Sequence, residues 1–477
     1  MIREIQDLEK TARLLETSQE QRNDWNNQVI QDADSFLQKI ETLNAYDQSH
    51  SENGNKDRLD FPEMGRALNP LLEHINYKVN QQGINPASGK HLGYVPGGGL
   101  FPSALGDYLA SITNRYAGIY FANPGAIQLE NECIRWMCKL VGYPESALGN
   151  LASGGSIATL TAITTARSFK GIKARDIENS VIYLTEQVHH CLQKALRIAG
   201  LEEAILRYIP MDEEFRMNTA ILEGQLKIDI SNGLKPFLLV GSAGTTDTGA
   251  IDPLDKLADL AQQFELWFHI DAAYGGFFML VEELKASFKG IERSDSITID
   301  PHKGLFLSYG LGAVLIKNVK AQYQAHYYKA NYMQDALPDN HEWSPADLSP
   351  ELTKHFRGLR MWLPLQLFGL QPFRAALKEK VLLSHYFYHQ IQELGFEVGP
   401  FPHLSILIFR YPDNDESKIN EALIKYIQED GRVFLSSTTI DGQFWLRLAV
   451  MCFRTHLKEI NLCLDIIKEG LKKTQSS

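Results

Sequence analysis

Short apolar runs alternate with helix-period segments through the middle of the chain. The runs "VIYL" at 181–184, "PFLLVGSAG" at 236–244, "LWFHID" at 266–271, "SITID" at 296–300 and "GAVLIK" at 312–317 have strand length, and most are separated by helix-like stretches. From 120 to 320 this rhythm predicts an α/β domain with a mostly parallel sheet covered by helices on both faces. Beyond about 375 the pattern changes. One long helix, "PFRAALKEKVLLSHYFYHQIQELG", precedes strands near 404–410 and 443–450 and helices near 416–430 and 456–471, which reads as a second, smaller α/β domain. The first 45 residues carry apolar positions at helical spacing: Ile5, Leu8, Ala12 and Leu15, then Val29, Ala33, Phe36, Leu37 and Ile40. Two such helices have no core of their own and must pack on something else. The expected division is a helical arm over 1–100, a large domain over 101–375 and a small domain over 376–477. The polar segment 47–60 reads as a surface loop or mobile segment.

Composition narrows the classes of function. The 477 residues are 44% hydrophobic and 22% charged, as in an ordinary globular protein long enough for two or three domains. With 58 acidic against 47 basic residues the net charge is -11, and no block of basic residues could track a phosphate backbone. That argues against a nucleic-acid partner. Five cysteines, Cys133, Cys138, Cys191, Cys452 and Cys463, are odd in number and lack C-x-x-C spacing, so neither a disulfide framework nor a metal site is expected. The charged, amphipathic start and the lack of any run of about 18 apolar residues give a cytoplasmic protein without a membrane partner as the expectation.

In open α/β sheets ligands sit beyond the carboxyl ends of the strands, so polar residues there are examined first. In "LASGGSIATLTAI" (151–163), Gly154, Gly155 and Ser156 precede a helical run and aim backbone N–H groups at an anion; a plain helix cap is the alternative. "LWFHIDAAYGG" ends an apolar strand on Asp271, with room above Ala273 for a flat ring; an N-cap aspartate is the alternative. In "SITIDPHKGLFLSYG" a lone Lys303 ends another strand. Desolvation penalises an ammonium and favours the nucleophilic amine, which gives a buried lysine a chemical use. "YLTEQVHHCLQKALRIAG" puts His189 and His190 at a strand-to-helix junction, where capping or packing is the ordinary role and stacking on a ring the functional one. A lysine, an aspartate and a phosphate-binding turn at three strand ends fit pyridoxal 5'-phosphate (PLP). "GYVPGGGLFP" (93–102) is a glycine-rich bend without the strand-to-helix context of a dinucleotide fingerprint, and reads as a shaped loop on the substrate side.

"SGGSIATL", "HIDAAYGG" and "DPHKGLF" occur in order, with "SPELTKHFRGLRMWLPLQLFG" (349–369) behind them. In this combination the chain resembles the group II PLP-dependent amino-acid decarboxylases, typified by aromatic L-amino-acid and glutamate decarboxylases. The likeness runs from about residue 85 to 455, with the helical arm before it. It implies fold type I of the PLP-dependent transferases, aspartate-aminotransferase-like: a large domain with a mostly parallel mixed sheet, a small C-terminal α/β domain and an N-terminal helical arm. It makes Lys303 the Schiff-base lysine, His302 a neighbour of the phosphate and Asp271 the pyridinium partner, with Ala273 under the ring. Gly155, Ser156 and Thr246 would line the cofactor pocket, and His189 would stack on the ring. Tyr332, in "YYKANYMQDA", matches the loop tyrosine that protonates the substrate carbon. Arg447, in "WLRLAV", matches the arginine facing the substrate carboxylate, and Tyr94 and Pro96 stand at the substrate-side bend. The resemblance further implies a homodimer with shared active sites, in which the partner supplies the Tyr332 loop and a segment around Thr353.

Three departures from the family pattern stand out. Asp300 stands where asparagine is usual beside the phosphate, so it would have to point away, pair with a cation or carry a proton. Gly304 replaces a tryptophan, and Phe306 or Tyr309 is expected to fill the space. Gly97, Gly98 and Gly99 replace bulkier or hydroxylated residues, which bears on the substrate. The reading is decarboxylation of an L-amino acid to amine and carbon dioxide, with an aromatic substrate favoured by Tyr94, Tyr116 and Tyr120. An acidic or diamino acid substrate stays open, with Arg115 and Arg360 as candidate cations. So do an aldehyde-forming or carbon–carbon lyase relative and, in a different class, a non-catalytic binding protein. The presence of both Tyr332 and His189 favours simple decarboxylation.

Overall fold

The structure, a computed structural model, describes residues 1–48, 61–328, 342–412 and 418–474. Its largest sheet has seven strands: β1 (Leu148–Ala152), β2 (Ser180–Leu184), β3 (Ile205–Tyr208), β4 (Lys235–Ser242), β5 (Trp267–Asp271), β6 (Ser296–Ile299) and β7 (Gly312–Ile316). They lie in the order β1-β7-β6-β5-β4-β2-β3 and share one direction except β7, which is antiparallel to both neighbours. The five strands read from the sequence are all present. Two further strands, β1 and β3, join them at opposite edges of the sheet.

Side-chain alternation explains why the runs are apolar throughout. Along β2, Val181 and Tyr183 join one core while Ile182 and Leu184 join the other, and along β7 Ala313 and Leu315 alternate with Val314 and Ile316. Both faces are covered, so both parities must be apolar. The helix Gly155–Phe169 covers one face with Ala158, Ala162, Ile163 and Ala166. On that same face Trp267 shares the core, and the alternation along β5 brings His269 and Asp271 to the same side.

The C-terminal part forms a separate four-stranded sheet, β8 (Glu397–Val398), β9 (Ile406–Arg410), β10 (Ser436–Ile440) and β11 (Gln443–Ala449), in the order β8-β9-β11-β10 and antiparallel throughout. Leu407, Phe409, Leu446 and Leu448 pack on helices that supply Phe387, Ile391, Leu423, Ile427, Ile460 and Ile467. The helix Gln371–Glu393 runs unbroken across position 375, so no linker separates the parts there.

The helices Ile2–Ala12 and Gln19–Lys39 bury no residue within this chain. Residues 83–100 behave differently from the rest of the expected arm. The N–H of Leu92 donates to the Phe434 carbonyl at 2.8 Å, Leu92 is fully buried in the core of the small sheet, and the N–H of Leu100 donates to the Phe306 carbonyl at 2.8 Å. Gly97, Gly98 and Gly99 all have positive φ (72°, 99° and 68°). A Cβ on Gly97 would collide with the His302 carbonyl, so the bend passes directly under the Lys303 turn. Of the expected loop 47–60, residues 49–60 lie outside the described residues. Among the described residues no helix is long and apolar enough to cross a membrane. All five cysteines are buried and unpaired.

Two histidines are sealed in these cores. His269 is fully buried; Trp267 Nε1 donates to Ser296 Oγ at 2.8 Å, and the same oxygen lies within hydrogen-bond distance of His269 Nδ1, at 2.9 Å. Burial lowers the pKa of His269 to about 4, and that of His91 likewise to about 4. Both are neutral when folded yet take up a proton near pH 6.5 when unfolded, so their contribution is present above pH 6.5 and is lost as pH falls toward 4. Each costs on the order of 3 kcal/mol by the lower limit. Asp252, raised by burial to about 6, acts in the opposite sense over the same range. Urea titrations from pH 7 to 4 should therefore show a shallower pH slope in His269→Gln, by close to one proton, than in the parent; equal slopes would refute the assignment.

Candidate active site

The carboxyl ends of β4, β5 and β6 bring three polar residues side by side. The register pairs Ser242 with Asp271 and Asp271 with Thr298. All three line a cavity of about 410 Å³, within the range of small-molecule sites. One wall is the turn Ser153–Ser156 at the end of β1, where the helix Gly155–Phe169 begins. The first N–H groups of a helix have no intrahelical acceptor and carry the positive end of its dipole. A Cβ on Gly154 would meet nothing within 4 Å, so the turn is open on that side.

Of the residues singled out in the sequence, Gly155, Ser156, His189, Thr246, Asp271, Ala273, His302 and Lys303 all line this cavity. Asp271 Oδ accepts the N–H of Ala273 at 3.0 Å, which fixes the carboxylate at the strand end. Lys303 sits in the single helical turn Pro301–Gly304 that follows β6. It is not sealed in apolar surroundings, as the sequence suggests. Its side chain keeps 24% exposure through the cavity, and Nζ lies 3.3 Å from Asp300 Oδ2. Of the three options for Asp300, pairing with a cation is the one realised.

The two histidines of the site have fixed orientations. His302 Nδ1 lies 2.7 Å from the Leu311 carbonyl and must donate to it, which leaves Nε2 as the other polar atom. Burial lowers the His302 pKa against the opposing charge of Asp300. His189 Nδ1 accepts the N–H of Cys191 at 3.2 Å, so the neutral ring carries its proton on Nε2. Burial lowers its pKa too, opposed by Asp271, and the ring of His190 lies 4.1 Å away.

Other residues stand elsewhere. Arg447 does not line the cavity; its guanidinium is 3% exposed and donates to the carbonyls of Thr246 and Gly93, with Nε 2.8 Å from the former. The alternating pattern of β11 hid this, because burial is decided by β9 and β10 on either side. Tyr94 is half exposed and packs on Phe434, Pro96 is buried in the glycine bend, and Thr353 is exposed. None of the three touches the cavity in this chain. Tyr332 lies outside the described residues. Arg360 is tied to Asp107 at 2.6 Å and to the Tyr309 carbonyl, and Arg115 is exposed. The space beside Gly304 is filled by Phe277 rather than Phe306 or Tyr309: a Cβ on Gly304 would lie 2.6 Å from Phe277 Cβ. Thr159, Cys191, Ser242, Thr245, Thr298 and Tyr309 also line the cavity. The strand-end rule could have found Ser242 and Thr298; Thr159 and Cys191 depend on helix placement, and Thr245 and Tyr309 on the course of loops.

A glycine turn that opens on free N–H groups, a carboxylate at the neighbouring strand end, a small residue two positions later and a lysine facing them fit PLP. Fold and site together define a PLP-dependent enzyme of fold type I. The pyridoxal-dependent decarboxylase conserved domain matches residues 52–412. An aromatic-L-amino-acid decarboxylase of Bacillus atrophaeus is 34% identical over 418 residues, covering 85% of this chain and 86% of the relative. Tryptophan decarboxylase 2 of Oryza sativa subsp. japonica is 27% identical, covering 86% of each chain. The crystal structure of Oryza sativa TDC with PLP and tryptamine superimposes with a TM-score of 0.89 at 20% identity, covering 96% of this chain and 98% of that one. The chain belongs to the group II PLP-dependent decarboxylase family. It is a PLP-dependent amino-acid decarboxylase.

Proposed function

We propose that the enzyme decarboxylates an aromatic L-amino acid to its amine and carbon dioxide, at a site completed by a second copy of the chain. The observation that carries the substrate class is the charge of the cavity wall. Among the described residues of this chain its cationic or basic side chains are His189, His302 and Lys303, the groups this reading gives to the cofactor, and no arginine lines it. An acidic substrate side chain therefore lacks a counter-cation there, whereas an aromatic one needs only apolar walls. The names of the relatives from Bacillus atrophaeus and rice point the same way.

PLP, when bound, supplies an electron sink for the bond that breaks. The chain's own groups do the rest. The N–H groups at Gly155 and Ser156, with Thr246 and His302 Nε2, would hold the phosphate. Asp271 would keep a proton on the ring nitrogen, with Ala273 giving the ring a flat support and His189 closing over its other face. Lys303 would be the point of attachment, and Arg447 would hold the Thr246 backbone in place rather than meet substrate. Tyr332 would deliver the proton to the product carbon.

Exposed Phe101, Tyr108, Leu109 and Ile112 on the helix Phe101–Thr113, together with the unburied helices before it, support coverage by a partner. Sedimentation is expected to give twice the 53.9 kDa chain mass. Carbon dioxide release should be measured across tryptophan, tyrosine, phenylalanine, glutamate, aspartate and 2,4-diaminobutyrate. An aromatic substrate should lead in kcat/KM by at least about tenfold. A leading acidic or diamino acid would replace this substrate class, and aldehyde in place of amine would replace the reaction.

A further inference from the structure

Asp300 is held where it cannot avoid Lys303. It directly follows β6, and its side chain is 2% exposed, wedged between the Gly154–Gly155 turn and the start of β7. A Cβ on Gly155 would lie 2.9 Å from Oδ2, and one on Gly312 would lie 2.6 Å from Oδ1, so both glycines are needed to leave the carboxylate its place. Oδ1 is buried without a hydrogen-bond partner, and Oδ2 forms the ion pair with Lys303 Nζ at 3.3 Å. A buried carboxylate with one oxygen unsatisfied is costly, and the neighbouring ammonium is its main compensation. The family's usual asparagine could occupy the same space but could not accept a proton.

We propose that Asp300 is the base that takes the proton from Lys303 when the cofactor becomes attached. The inference rests on Lys303 being the attachment point. The ammonium passes one proton to Asp300 Oδ2. The freed amine adds to the aldehyde carbon of PLP, forming the C–N bond while the carbonyl π pair moves to oxygen, which takes a second proton from the nitrogen. Asp300 returns its proton to that hydroxyl, which leaves as water, and the nitrogen keeps its third proton with the positive charge. The other titratable groups facing this corner are His302 on the same turn, Asp271 from β5, and His189 and Cys191 from the segment after β2. Burial pushes the Cys191 thiol up to about 12, and burial keeps both histidines toward the neutral form. Asp271 is anchored by the Ala273 N–H, and among the described residues Asp300 is the carboxylate paired with Nζ.

The test is the rate at which cofactor-free protein takes up PLP, followed by absorbance from pH 6.5 to 8.5. The parent should attach cofactor at a nearly constant rate over this range, because the acceptor lies within the protein; a rate proportional to hydroxide would overturn the proposal. Asp300→Asn should attach about 10²-fold more slowly, with a rate that rises with pH. Asp300→Ala should be accelerated by added formate, which a merely space-filling role would not produce. A parental rate and pH profile in Asp300→Asn, or no response to formate in Asp300→Ala, would also overturn it. Borohydride fixation and peptide mapping separate the two layers. Label on another lysine would refute the attachment reading itself, whereas label on Lys303 at parental rates would refute only the role of Asp300.

Discussion

Asp271→Ala is expected to lower carbon dioxide release by on the order of 10²–10³-fold while the protein stays folded and cofactor remains attached. The carboxylate stands at the end of β5, fixed by the N–H of Ala273 and flanked by Ser242 and Thr298 on neighbouring strands. On the proposed placement its removal would take away the fixed negative charge that keeps a proton on the ring nitrogen, and among the described residues the other carboxylate lining the cavity, Asp300, is paired with Lys303. The loss should appear in kcat with little change in the amount of cofactor fixed by borohydride. Asp271→Glu, which keeps the charge but shifts it by one methylene, should recover part of the rate. Near-parental kcat in cofactor-saturated Asp271→Ala would remove Asp271 from the site.

Lys354→Met is expected to destabilise the protein by about 3–5 kcal/mol. Lys354 and Glu130 form an ion pair at 2.7 Å with both side chains fully buried. Glu130 also accepts the N–H groups of Arg357 at 2.8 Å and Gly358 at 3.1 Å, and Lys354 donates to Asn150 and to the Leu151 carbonyl. Removing the lysine leaves a buried charge with only part of its compensation. The pair also pins the end of β1, from which the Ser153–Ser156 turn departs, so the loss should reach cofactor binding as well as melting. Lys354→Met with Glu130→Gln should recover much of the stability, since the amide oxygen can still accept from the two N–H groups. Melting of the cofactor-bound protein checks both. A double variant no more stable than Lys354→Met would show that packing, not charge, decides.

The sequence determined the elements whose pattern is local. Runs such as "VIYL" and "GAVLIK" are apolar at both parities because both faces of the sheet are covered, and that is readable without coordinates. Asp271, Lys303 and the Gly154–Gly155–Ser156 turn were legible because strand ends and helix starts are marked by abrupt changes of residue type. Elements with weaker local signals escaped. β1 is "LGNLA", with a glycine and an asparagine in its middle, and β10 is "SSTTI", polar because much of it faces solvent. The Asp441-Gly442 turn that joins β10 to β11, with φ of 51° and 76°, was the available hairpin signal.

Tertiary structure decided everything that depends on which partner a polar group meets. Arg447 is a strand residue of unremarkable pattern until β10 and the Gly93 and Thr246 carbonyls enclose it. Lys354 looks like a surface charge until Glu130, 224 positions away, lies opposite it. Asp300 is an odd substitution in the sequence. Only the approach of Gly155 from one strand end and Gly312 from another gives its carboxylate a closed seat beside the Lys303 ammonium. Local composition fixes where a chain turns and which faces are apolar. The energy of a buried charge is fixed by neighbours that sequence proximity does not supply.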